Sequence, residues 1–219
     1  MSGLATILRK DLKIELRTKE ALSASFVFAV LVLVIFNFTL ILTSDEALRL
    51  GAGFLWIAFA FSGILSLNRS FALEREEGCT QGLLISPAEP GSIYLAKFLA
   101  NVILMLTTEL LVVPLFVVFF NIEFERVGLL ILILALGTIG FSSVGTLFSA
   151  IAVHTRMREV LLPLLLLPVT VPVLIASVET TAYALGADIT VAFWFRLLIV
   201  YDIVFVTASY LVFEYVIQE

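Results

Sequence analysis

The sequence predicts an all-α polytopic membrane protein, with six transmembrane helices preceded by an N-terminal amphipathic interfacial helix. Three observations carry this prediction. Long apolar stretches fill almost the whole chain. Hydrophobic residues make up 61% of its 219 residues, with a mean hydropathy of +1.14, where soluble domains average about 45–50% apolar. The basic residues between the stretches alternate sides. The stretches run Leu22–Thr43, Leu50–Leu67, Tyr94–Asn121, Val127–Val153, Val160–Val178 and Val191–Phe213, each near or above the ~20 residues that cross a bilayer as helix. Only short tails and connections remain between them, so the length allows one membrane domain over 1–219.

The distribution of charge says more than the net value of −5. Arg9, Lys10, Lys13, Arg17 and Lys19 precede the first span. Arg69, Arg75 and Lys97 flank the second-to-third connection, and Arg156 and Arg158 the fourth-to-fifth. The opposite connections carry Arg49 and Arg126, with Arg196 just inside the sixth span. Under the positive-inside rule this asymmetry places both termini in the cytoplasm. The polar start of the chain and the long apolar segment after it do not fit a cleavable signal peptide. Cys79, the single cysteine, leaves no intrachain disulfide to form and reads as an incidental thiol on the reducing side.

The elements follow in order. Leu4, Leu8, Leu12 and Leu16 recur every four residues with Ile7 beside them, and Arg9, Lys13 and Arg17 form a neighbouring row. That pattern predicts an amphipathic helix over 1–21 lying in the membrane interface, its basic row facing anionic headgroups. A short acidic outer turn is expected around Ser44-Asp45-Glu46. The second span carries Ala58, Ser62 and Ser66 at four-residue spacing. The fourth carries Thr138, Ser142, Thr146 and Ala150, with Gly145 and Ser149 alongside. Rows of small residues let helix backbones approach closely, within one bundle or between two copies. Pro163, Pro168 and Pro172 each remove a donor from the fifth span and crowd the carbonyl one turn back, so that helix is expected to be kinked or broken.

Catalytic constellations are absent from the sequence, and no enzyme activity is expected. Gly140 and Gly145 have the spacing of a phosphate-binding loop, but Thr146 stands where its lysine belongs, inside a span. Metal-ligand clusters are lacking, and no directly bound cofactor is expected. His154, the single histidine, falls at the cytoplasmic end of the fourth span, where a cation suits the helix dipole; an axial-ligand or proton-relay role is not expected. Three ionisable residues lie within spans and are functional candidates by default. Glu109 and Asp202 are mid-way along the third and sixth spans, roughly 17 Å from the outer ends at 1.5 Å per residue. At one depth they can share a proton or each bond a hydroxyl. Arg196 lies nearer the outer end and can snorkel. The longest hydrophilic insertion, Asn68–Ser92, joins a charged part (Phe71, Glu74, Arg75, Glu76, Glu77, Gly78) to an apolar part (Leu83, Leu84, Ile85, then Ser86-Pro87). Charged and apolar elements side by side suggest a docking surface.

The run from Met157 through Pro163, Pro168 and Pro172 resembles the fifth-helix region of the CcmB family, the haem exporter B proteins of cytochrome c maturation. Phe71, Glu76-Glu77-Gly78, Leu83 to Pro87 and Tyr94 to Lys97 resemble that family's first cytoplasmic loop, and Glu109 to Phe116 has a similar look. The likeness spans the chain in length, span count and motif order; Gln81-Gly82 departs from the loop pattern, where an acidic residue usually precedes the Leu run. The resemblance implies an ABC-2-like permease in the bacterial inner membrane. It would be coupled to a separate protein, the cytochrome c maturation ATPase, that drives haem export or release of the haem-loaded periplasmic chaperone. It further implies complex formation with a haem-handling membrane protein and a small membrane protein of the same system, with ATP held by the ATPase and haem handled by the complex. It assigns the helix over 1–21 to the elbow position and 68–93 to the coupling loop. Trp56 and Trp194 are far apart, so the tryptophan-rich motif of the haem-handling protein is missing.

Two other functions stay open on the residues alone. One is a generic ABC-2 exporter permease for a lipid, drug or polysaccharide. The other is a secondary transporter driven by protons through Glu109 and Asp202. The charge asymmetry makes a direct prediction: reporter fusions at Glu219 and within 179–188 should lie on opposite sides of the membrane, and the same side for both would refute the topology.

Overall fold

Seven helices are built from the residues that the computed structural model describes: 2–39, 44–76, 89–122, 125–153, 155 and 157–218. They are α1 (Ser2–Thr18), α2 (Glu20–Thr39), α3 (Ser44–Glu76), α4 (Pro90–Phe120), α5 (Val127–Ala152), α6 (Arg158–Ala184) and α7 (Ala192–Gln218). Six of them, α2 to α7, are long and apolar enough to cross a membrane. Their outward side chains include Phe38, Leu110, Val118, Leu164 and Ile203, an apolar exterior that suits lipid.

Successive helices run back and forth, and contacts identify the two ends. Near the termini Arg69 of α3 pairs with Glu20 of α2, Lys97 of α4 donates to the Ser70 carbonyl of α3, and Tyr94 stacks near Phe213 of α7. At the far end the Asn37 amide donates to the Phe119 carbonyl, and Arg126 donates to the Tyr183 carbonyl at 2.6 Å while its guanidinium lies over the Tyr183 ring. There α6 stops because Gly186 takes φ +113°, which lets the Gly186 and Ala187 amides donate back to Tyr183 and Ala182. This closure satisfies carbonyls that the helix end would leave open.

Helix α5 is the centre, packed against α3, α4, α6 and α7. Three buried layers surround it. One joins Leu33, Trp56, Phe116, Ile133 and Leu185 towards the far end; a middle one joins Ile64, Met105, Phe141, Leu166 and Leu198. The third joins Ile7, Tyr94, Phe98, Leu147 and Phe213 near the termini. The small-residue rows lie inside this packing: Ala58, Ser62, Ser66, Thr138, Ser142, Thr146 and Ala150 are all buried, as are Gly145 and Ser149.

Several local expectations are revised. Ser44, Asp45 and Glu46 open α3 rather than forming a turn, and acidic residues in a first helical turn suit its positive end. The part of 68–93 up to Glu76 continues α3 without a break, and α4 already begins at Pro90. A proline at the first helical position forfeits only a donor that would have been unpaired. Helix α6 is not broken: Pro163, Pro168 and Pro172 all lie inside one continuous helix. Tyr201 of α7 donates to the Val169 carbonyl at 3.1 Å, one residue beyond the Pro168 carbonyl that Pro172 leaves without its helical donor. On α1, Ile7 is buried but Leu16 is 72% exposed, so the packed face is not the leucine row throughout. Glu77, Gly78, Cys79, Leu83, Leu84, Ile85 and His154 lie outside the described residues.

Where α3, α5 and α6 cross, a methyl group on Gly137 would run into the Trp56 ring and sit 2.6 Å from the Ser177 hydroxyl. Gly137→Ala should therefore cost about 1–3 kcal/mol by overpacking, read as a lower thermal midpoint in detergent. An unchanged midpoint would show that the contact yields freely.

Candidate functional site: a polar seam around α5 and an ionic junction beneath α1

Hydroxyls on α5 reach two neighbouring helices, α3 and α4. Thr138 donates to Glu109 Oε1 of α4 at 2.6 Å; Asn101 of α4 donates to the Thr146 hydroxyl at 2.9 Å; Ser149 donates to the Leu67 carbonyl of α3 at 2.7 Å. Ser142 lies 3.3 Å from the Met105 sulfur, and across the bundle Trp56 Nε1 donates to the Thr181 hydroxyl at 2.9 Å. These polar groups are buried. In hydrocarbon, a group without an internal partner is costly, so the contacts fix helix register as well as attraction.

Glu109 and Asp202 meet α5 within one turn of each other, but not on one face. Glu109 engages Thr138, whereas Asp202 presses on Gly140, where its Oδ1 would lie 2.5 Å from an added Cβ. Two helical positions are about 200° apart around the axis. The carboxylates therefore sit on opposite sides of α5 and do not share a proton; of the two arrangements that their common depth allowed, Glu109 has the hydroxyl partner. Both oxygens of Asp202, Glu109 Oε2 and the Ser177 hydroxyl are buried without a hydrogen-bond partner. Arg196 is exposed near the N-terminal end of α7.

A second constellation lies at the end that carries the termini, and sequence reasoning passed over it. The Lys97 side chain is only 1% exposed. Its ammonium lies 3.0 Å from Asp11 Oδ2 of α1 and donates to the Ser70 carbonyl of α3 at 3.2 Å. Lys10 approaches the other Asp11 oxygen at 3.2 Å. Glu15 accepts from the Leu22 amide at 2.8 Å, capping the start of α2, and Lys19 at φ +55° turns the chain between the two helices. Asp11, Glu15, Glu20, Ser66, Arg69, Lys97 and Asn101 enclose a cavity of about 100 Å³. Lys97 had counted only as one more basic residue. The available signal was the acidic pair Asp11 and Glu15, four residues apart in an otherwise basic helix. Burying one charge of an ion pair such as Lys97–Asp11 without the other costs about 3–5 kcal/mol.

Of the expected docking residues, Phe71, Glu74, Arg75 and Glu76 fall on the last turns of α3. Among the described residues no group of three or more His, Cys, Asp or Glu side chains is placed to hold a metal.

A family model described as "CcmB protein" matches residues 2–217. The chain is 30% identical over 176 residues to Heme exporter protein B of Rhodobacter capsulatus, covering 80% of this chain and 81% of that protein. It is 27% identical to Heme exporter protein B of Bradyrhizobium diazoefficiens, covering 83% and 82%, and 29% identical to that of Pseudomonas aeruginosa, covering 77% and 76%.

The Thr138–Glu109 bond carries a prediction. Glu109→Gln keeps an acceptor for Thr138 and Glu109→Leu does not. The leucine variant should be less stable than the glutamine variant by about 1 kcal/mol, as measured by thermal unfolding in detergent. Equal stability of the two would show that the hydrogen bond contributes nothing.

Proposed function

Because the chain belongs to the CcmB family, we propose that it is the membrane permease subunit of the haem export system for cytochrome c maturation. The observation that carries this reading is the family match across residues 2–217, over a chain with six helices able to span a membrane. As a permease it supplies no chemistry of its own. Energy comes from ATP hydrolysed by a separate protein, the cytochrome c maturation ATPase. It is used for haem export, or for release of the haem-loaded periplasmic chaperone from a complex that includes the haem-handling and the small membrane proteins. The sequence supports that division, since its one glycine pair with phosphate-loop spacing lacks the lysine and is buried in α5.

Coupling enters through 68–93 at the cytoplasmic face, where both termini also lie; the excess of basic residues on that side supports the orientation. Helix α3 runs unbroken to Glu76, so a push on the segment that follows travels along a rigid rod into the bundle centre. The separation of Glu109 from Asp202 by α5 removes the shared-proton basis for a secondary transporter.

Reversing Glu74, Glu76 and Glu77 to lysine together should weaken association with the ATPase by about tenfold or more and block cytochrome c assembly, without preventing membrane insertion. Co-purification of the ATPase with the tagged chain measures the first, and haem staining of c-type cytochromes the second. Full association and assembly in this variant would refute the coupling assignment.

A further inference from the structure

We propose that Lys97 is a positioning residue that binds the amphipathic helix α1 to both roots of the coupling segment, making α1 a moving part of the transmission rather than a passive anchor. This rests on the reading of 68–93 as the ATPase contact.

Lys97 stands near the start of α4, just beyond the segment, and Ser70 stands among the segment's first residues, in the last turns of α3. Its ammonium holds the Ser70 carbonyl at 3.2 Å and the Asp11 carboxylate at 3.0 Å. One charge thereby joins three helices. A lysine is almost never buried this fully unless its charge is paired, and here the pairing comes from α1. Two further contacts close the network: Arg69 of α3 pairs with Glu20 of α2, and Glu15 of α1 caps the Leu22 amide of α2. The result is an ionic bracket beside the cavity, whose wall also includes Ile14, Ala21, Ala100 and Leu104.

The cavity decides how the bracket behaves. Ser66 and Asn101 also line the cavity, and Ser66 Oγ and Asn101 Oδ1 are buried without a partner. Apolar side chains packed at native density would resist sliding. An ionic bracket beside an open cavity instead lets α1 shift while the ammonium keeps it attached. Displacement of the α3 and α4 roots is then passed to α1, and through the Lys19 turn to α2.

The test uses the full chain in membranes, with Cys79→Ser and cysteines at Ile14 and Ala100, which line the cavity from α1 and α4. A short bifunctional thiol reagent should cross-link them efficiently with Lys97 present and equally well in Lys97→Arg. Lys97→Met and Asp11→Asn should each lower the yield by about tenfold, because an unpaired buried charge disfavours the docked helix. In the same variants without the added cysteines, cytochrome c assembly should fall in parallel while the ATPase still co-purifies. Asp11→Asn changes only a partly exposed side chain and decides the matter if Lys97→Met fails to insert. A retained cross-link in both Lys97→Met and Asp11→Asn, or normal assembly after its loss, overturns the proposal. Failure of the coupling reading shows itself separately, as ATPase association that survives reversal of the three glutamates.

Discussion

Hydrocarbon offers no hydrogen-bond partner, and that constraint organises this bundle around α5. Hydroxyls on the central helix find partners on the helices packed against it and along α5 itself. Glu109 of α4 accepts from Thr138, Asn101 of α4 donates to Thr146, the Leu67 carbonyl of α3 accepts from Ser149, and Ser143 and Thr146 donate to α5 carbonyls. Glycine makes the approach close enough: at Gly137 the Trp56 ring lies against the backbone, at Gly140 Asp202 does, and at Gly145 Leu67 does. Apolar packing alone would tolerate small slips of register, because Leu against Leu costs much the same as Leu against lipid. Directional bonds do not tolerate them.

The same constraint bears on α6, which carries three prolines in one continuous helix. Each deletes a backbone donor, and the carbonyls left over are those of Glu159, Leu164 and Pro168. Other hydrogen bonds run alongside: Tyr201 of α7 donates to the Val169 carbonyl, and the Thr170 hydroxyl of α6 itself donates to the Leu166 carbonyl. They tie α6 to α7 and back onto itself in the proline-bearing stretch.

At the membrane surface the logic changes from hydroxyls to charges. Around the cavity Lys97, Arg69, Asp11, Glu15 and Glu20 bind four helix ends together. Helix α1 presents Arg9, Lys13 and Arg17 outward, while its acids Asp11 and Glu15 turn inward. Three of its cations face outward and its two acids the bundle, with Lys10 beside Asp11 at the cavity.

By itself the sequence determined the membrane class, the six spans, the amphipathic start and the small-residue rows, because hydropathy and helical spacing are local properties. It also marked Glu109 and Asp202 as polar groups at one depth, since depth follows from counting along a helix. What counting does not supply is the angular position of one helix against another, and that put α5 between the two carboxylates. Tertiary structure alone decided the partners of Lys97 and Asp11, which stand far apart in the chain and look like ordinary surface charges in isolation. It also decided that α6 stays continuous through its prolines. In each case the deciding interaction joins residues on different helices, and no periodicity within one segment encodes which helix will lie alongside it.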